Sequence, residues 1–158
     1  MAGYHLRRGE KEIAVRGELL EILERGRFAV IALCRDEEPY VVTMSYGYDS
    51  SSDALYFHCA AEGKKIDFIR SNPRACATVV EDLGYRHGRC DHAYGSVVAL
   101  GRVSILEDAG ERERGIEILL DHQEKDPAPV RERNLEGGLS GDVVILRFDI
   151  ESMTGKRG

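Results

Sequence analysis

The sequence predicts a mainly β protein with peripheral helices, its strands forming an antiparallel sheet that closes on itself. Three observations carry this. Six segments read as strands, being apolar runs rich in Val, Ile, Tyr and Phe. Most are joined by hairpin-length turns. Helical patterns occur at only a few points, whereas a doubly wound parallel sheet needs a helix between nearly every pair of strands.

The elements follow in order. An amphipathic helix is expected from about Glu12 to Arg25, where Ile13, Leu19, Leu20, Ile22 and Leu23 form a stripe at helical spacing and Gly26 stands as a stop. FAVIALC, residues 28–34, is a buried strand, RDEE a turn, and PYVVTMSYGYD the second strand of a hairpin, with Pro39 tolerated at its start. SSSD turns the chain into the strand LYFH. A short helix around Lys65 to Arg70 ends at SNP, where Pro73 turns Asn72 away from helical geometry. RACATVVED is the fourth strand, and GYRHGRCDHA reads as a polar, glycine-punctuated loop. YGSVVALGRVSIL is a long strand, residues 110–124 a helix with Ile116, Leu119 and Leu120 on one face, PAPVRERNLEGGLSG a loop or short irregular helix, and DVVILRFDI the last strand. With no repeat and no linker, residues 1–158 are read as a single domain.

Composition narrows the classes of function. The chain has 158 residues, 42% apolar and 32% charged, which suits a globular protein long enough to need no staple. Its 28 acidic against 22 basic residues give a net charge of −6, and the basic ones are scattered, which argues against duplex nucleic acid as partner. No apolar run is long enough to cross a bilayer and none follows the charged start MAGYHLRRGEKEI, so a soluble cytoplasmic protein without a membrane partner is expected. Cys34, Cys59, Cys76 and Cys90 show no C-x-x-C spacing, and disulfides are not expected.

Residues 55–70, LYFHCAAEGKKIDFIR, hold the chemistry. A strand passes to a helix through Cys59, Ala60, Ala61 and Gly63, and two lysines then occupy the first helical turn, where the helix dipole makes cations mildly unfavourable. Two readings fit. Lys64 and Lys65 are solvated helix residues beside small side chains packed on a neighbour, or the small residues let backbone amides approach an anion such as phosphate. Neither a Walker loop nor a G-x-G-x-x-G fingerprint is present.

The runs EPYVVTMSYGYD, ALYFHCAAEGKKIDFIRSNPRACATVVED and YGSVVALGRV, together with the tail FDIESMTGKR, resemble the FMN-binding split barrel of the pyridoxamine 5′-phosphate oxidase superfamily, and most closely its nitroimidazole-resistance branch. The likeness covers residues 27–107 and 143–157. It implies a six-stranded antiparallel split β-barrel and a homodimer with FMN between the subunits. The apolar strands FAVIALC and DVVILRF agree with a buried face between subunits. In pyridoxamine phosphate oxidases a basic pair eight and nine residues before the proline of SNP holds the FMN phosphate, and Lys65 and Lys64 stand there relative to Pro73. By the same resemblance His58, Cys59 and Ala60 match the strand end that cradles the phosphate and ribityl chain. Val41, Val42, Thr43 and Met44 match the strand whose backbone edge runs beside the isoalloxazine ring. Ser96, and with it Tyr94 on the same strand, falls where a ring contact is placed. The oxidases' C-terminal Trp and Arg pattern is missing, so the resemblance does not carry pyridoxamine phosphate oxidation with it.

The implied function is an FMN-dependent oxidoreductase, nitroreductase-like, reducing small electrophilic compounds such as nitroaromatics, with NADH or NADPH as candidate donor. Two rivals stand beside it: a non-catalytic flavin carrier or redox sensor, and a haem-binding split barrel with His58 or a loop histidine as ligand. No Ser/His/Asp or paired-carboxylate arrangement marks a catalytic residue for hydrolysis. His87, Cys90 and His92 supply zinc-type ligands, but structural zinc wants four, and the stretch is read as a solvated loop without metal. Tyr46, Tyr48 and Tyr56 are expected to fill the core or an interface, and Gly155 to Arg157 to form a mobile tail.

Overall fold

A computed structural model describes residues 6–137 and 142–158. In chain order the elements are α1 (Arg16–Arg25), β1 (Phe28–Arg35), β2 (Glu38–Ser45), β3 (Gly47–Asp49), β4 (Ala54–Ala60), α2 (Lys64–Ser71), β5 (Arg74–Arg86), β6 (Asp91–Ile105), α3 (Ala109–Gln123), α4 (Ala128–Gly137) and β7 (Val143–Arg157). The strands make one antiparallel sheet in the order β2-β1-β5-β6-β7-β4-β3.

The mainly β, antiparallel reading agrees with this sheet; its strand count does not. Six strands were expected and seven are present, in an order that leaves β2 and β3 at opposite edges instead of closing. The stretch read as one strand, residues 39–49, divides at Tyr46. Its first part pairs with β1 and its last with β4, because the buried Tyr46 turns inward, its hydroxyl donating to the Leu23 carbonyl at 2.6 Å. Only that residue separates the two edges of the sheet.

Three boundaries also move. The first helix begins at Arg16 rather than Glu12, and Ile13 instead donates its N–H to Gly155 O at 3.0 Å. The stretch 84–93, expected as a loop, is the end of a hairpin: β5 runs to Arg86 and β6 begins at Asp91, with a register shift between Asp82 and Tyr85. The tail is not mobile, since Gly155, Lys156 and Arg157 pair with Val97, Ser96 and Gly95 inside β7. A side chain at 155 would run into Leu19, which is why a glycine lets α1 pack here.

Alternate residues of the strands enter the main core: Ala29, Ile31 and Leu33 from β1, Ala75, Ala77 and Val79 from β5, Val97 and Ala99 from β6. Leu19, Ile22 and Leu23 of α1 and Ile66, Phe68 and Ile69 of α2 complete it. A second cluster, formed by Ala54, Tyr56, Leu106, Leu119 and Ile145, lies where α3 covers the other face of β4 and β7. Tyr46, Tyr48 and Tyr56 are buried, as core-filling aromatics should be. Among the described residues no helix is long and apolar enough to cross a membrane.

Candidate functional site

The turn from β4 into α2 is built to stay open. Gly63, the N-cap of α2, has φ 121°, a conformation that side chains rarely adopt, and a Cβ there would meet nothing within 4 Å. No side chain caps the helix. Gly63 O accepts from Ile66 N at 2.9 Å and Asp67 N at 3.2 Å, while the N–H groups of Lys64 and Lys65 have no acceptor among the described residues. Burial of Ile66, Phe68 and Ile69 fixes the helix against the core and leaves this first turn at the surface.

The two lysines have different surroundings. Lys64 Nζ lies 2.6 Å from Glu38 Oε1, and 5.2 and 5.3 Å from the ring centroids of Tyr40 and Phe68. The ammonium holds the Glu38 carboxyl below its ordinary range. Lys65 is half-buried and has no hydrogen-bond or ion-pair partner among the described residues. It faces Cys59, whose thiol burial pushes up in pKa while the Lys65 charge pulls it down; burial dominates, so Cys59 is a neutral thiol near pH 7.

Around this turn two strand edges lie open. β2 has a neighbour on one side only, so the backbone of Val41 to Met44 presents an unpaired edge. β3 covers β4 only from Ala54 to Tyr56, so Phe57 to Ala60 are paired with β7 on one side and bare on the other. Both edges diverge from Tyr46, and α2 bridges them through the Lys64–Glu38 pair and the Tyr40–Phe68 ring contact, 5.3 Å between centroids. Uncapped amides, an unpartnered ammonium and open space over Gly63 together fit a phosphate group.

The sequence-selected residues do not all face this turn. Adjacent strand residues point to opposite faces, so His58 and Cys59 separate. Cys59 packs on the main core, whereas His58 lines a cavity of about 340 Å³ under α3 with Ser45, Ile116, Leu119 and Ile145. On β2, Met44 is buried and Val42 partly so, while Val41 and Thr43 point outward.

That outward face is apolar and wide. Register places Val41 opposite Ala32, Ala32 opposite Cys76, and Cys76 opposite Leu100, with Val80 opposite Ser96 in the next rows. Phe28, Val41, Val80, Val98 and Leu100 are exposed by 61, 59, 58, 39 and 48%. Exposed apolar faces are the kind of surface that interaction sites use. Ser96 lies on it beside Lys156, and Tyr94, half-buried under the Lys11 ammonium at 5.7 Å, is at its rim. Sequence reasoning missed Glu38 altogether. It had a signal for the face, since both alternating sets of FAVIALC and of VVAL, residues 97–100, are apolar.

At the hairpin tip His92 Nε2 is 2.6 Å from Asp82 Oδ1 and His87 meets the Tyr85 ring edge-on at 5.2 Å. Among the described residues no three His, Cys, Asp or Glu converge as a metal site.

Comparison with known proteins gives a family match, three similar solved structures and one sequence relative. The family model described as pyridoxamine 5′-phosphate oxidase matches residues 15–157. Among solved structures, a protein of Bacteroides thetaiotaomicron VPI-5482, provisionally named for 5-nitroimidazole antibiotic resistance, is 27% identical with a TM-score of 0.73, over 92% of this chain and 85% of that one. An FAD-binding protein of Mesorhizobium loti is 27% identical with a TM-score of 0.66, over 91% of this chain and 95% of that one. The flavocytochrome Anf3 of Azotobacter vinelandii shares the fold, with a TM-score of 0.76 at 14% identity over 98% of this chain and 72% of that one. An uncharacterized protein of Rhizobium meliloti (strain 1021) is 34% identical over 91 residues, 58% of this chain; the match spans about half, 54%, of that relative's length.

Proposed function

This chain belongs to the pyridoxamine 5′-phosphate oxidase family, and from that premise we propose that it is an FMN-binding oxidoreductase working as a homodimer on small electrophilic compounds such as nitroaromatics. The observation that carries the reading is the turn before α2, where free amides and the unpartnered Lys65 ammonium meet at a glycine that leaves room for a phosphate. In this reading β2 and β3 act as one strand bent at Tyr46, making a six-stranded split barrel.

Lys64, Lys65 and the amides of the turn would hold the phosphate, the backbone edge of Val41 to Met44 would serve the flavin ring, and Ser96 and Tyr94 would be its further contacts. The outward face, with Phe28, Val80, Val98 and Leu100, is the surface the second subunit covers, which shields the ring from water. Flavin held there would supply two-electron transfer between NADH or NADPH and the acceptor. The chain's contribution is orientation, exclusion of water and hydrogen bonds to the ring. The named nitroimidazole-resistance relative supports the choice of acceptor.

The purified protein should show flavin absorption and release FMN on chromatography. Recovery of FAD alone would count against a terminal phosphate at Lys65, and a Soret band without flavin would assign a haem protein. Sedimentation at micromolar protein should give a dimer. NADPH or NADH should bleach the flavin, and a nitroaromatic should restore its colour; a flavin that binds but never cycles would make this a carrier.

A further inference from the structure

Resting on that phosphate reading, we propose that Glu38 sets the flavin affinity by competing with the phosphate for the Lys64 ammonium. Glu38 opens β2, 26 positions before Lys64, and reaches its Nζ at 2.6 Å. Its other carboxylate oxygen lies 4.0 Å from Arg35 Nη2, and the Arg35 guanidinium stands 4.7 Å over the Phe68 ring. One carboxylate therefore takes up the two cations on the β2 side of the turn. Lys65, one position further round the helix, keeps its charge unengaged.

A phosphate brought to Lys64 meets an ammonium already satisfied, beside a like charge. It has to displace Glu38 or share Lys64 with it, and either weakens binding. Riboflavin has no such competitor. Glu38 thus acts on the phosphorylated flavin alone, leaving Lys65 as the ligand that stands ready and Lys64 as the one whose availability is tuned. Because the pair is solvent-exposed, the effect is modest and salt-sensitive.

The test uses the full chain freed of flavin, titrated with FMN and with riboflavin. Glu38→Gln should tighten FMN by about two- to fivefold, leave riboflavin unchanged, and lose most of this gain in high salt. In a Lys64→Ala background the same substitution should do nothing. An unchanged or weaker FMN affinity in Glu38→Gln, while Lys65→Ala still weakens FMN selectively, would show Glu38 to be only a strut and overturn the proposal. A gain that persists without Lys64 would also overturn it, since the charge would then act on the phosphate directly. If wild type does not distinguish FMN from riboflavin, the phosphate reading itself falls, and the proposal with it.

Discussion

Two helices meet the sheet in opposite ways. At the C-terminus of α3 the polar groups close on one another. His122 Nε2 donates to Gly26 O at 2.7 Å, Gln123 Nε2 donates to Tyr46 O at 2.6 Å and Arg27 O at 3.0 Å, and Arg27 donates back to the His122 carbonyl. The N-terminus of α3 is closed as well, Asp108 accepting from Glu111 N at 2.9 Å. Among the described residues, the N-terminus of α2 has no side-chain cap, two amides without acceptors and an ammonium without a hydrogen-bond or ion-pair partner. A junction whose polar groups are saturated by one another is scaffold; the open turn of α2 lies at the surface, where its free groups meet water and where the proposed phosphate would bind.

The sharpest way to break this contrast is to damage the saturated junction. Tyr46 is 0% exposed and joins α1, β2, β3 and α3. Tyr46→Ala should lower unfolding stability by about 3 to 5 kcal/mol, read by urea denaturation. Tyr46→Phe should lose about 1 to 2 kcal/mol, because the Leu23 carbonyl is left bare. A loss below 1 kcal/mol for the alanine variant would mean that this junction is not structural.

Next in size is the opposite experiment at α2. Lys64→Ala with Lys65→Ala should weaken FMN at least about a hundredfold, since charge-assisted hydrogen bonds to phosphate are worth roughly 1.5 to 3 kcal/mol each. Riboflavin affinity should hardly move, and urea stability should change by only tenths of a kcal/mol. Flavin fluorescence titration checks the first two. Equal losses for FMN and riboflavin would erase the difference drawn between the two junctions.

Replacing Gly63 by alanine sharpens the contrast further. The cost is conformational, about 1 to 3 kcal/mol, because φ 121° with ψ 171° is a region open essentially to glycine alone, whereas a Cβ itself would meet nothing there. FMN binding should weaken more than riboflavin binding as the turn rotates its amides. A more stable variant with intact FMN binding would show that the turn needs no glycine.

The smallest effect concerns pH. Burial, aided by the nearby Arg27 charge, lowers the His122 pKa below its usual 6.5; the bond to Gly26 O and Glu24 oppose the shift. The folded chain therefore binds less proton than the unfolded chain near and below pH 6.5. This stabilising share is complete above that pH and is lost as pH falls through 6.5 toward the folded value. Stability of wild type minus that of His122→Gln, measured by urea melts at pH 7.5 and 5.5, should shrink at the lower pH. A difference that grows instead would mean that His122 is charged in the fold.

Much of the architecture was legible in local patterning. Short continuous apolar runs marked FAVIALC and DVVILRF, and the stripe Leu19, Ile22 and Leu23 marked α1. The small-residue turn and the Lys64–Lys65 pair were equally visible, because glycine and cation placement act within a few residues. What stayed hidden depends on partners far along the chain. The division of residues 39–49 at Tyr46 requires Leu23 and Gln123, and the extension of β7 through Gly155 to Arg157 requires the facing stretch of β6 and the contact with Ile13. The stretch 84–93 looked like a loop because its composition is polar, yet cross-strand pairing of Tyr85 with His92 and Arg86 with Asp91 decides it.

The sequence by itself determined most of the segments that extend or coil and singled out the small-residue turn before Lys64 as the candidate place for an anion, since those follow from local side-chain pattern and the chemistry of neighbouring residues. Only the tertiary structure decided that His58 and Cys59 serve different faces, that Lys64 is already engaged by Glu38 while Lys65 is not, and that Phe28, Val41, Val80 and Leu100 share one exposed surface. Register and sheet order bring those residues together, and both are settled by how the whole chain closes its loops and buries its apolar side chains.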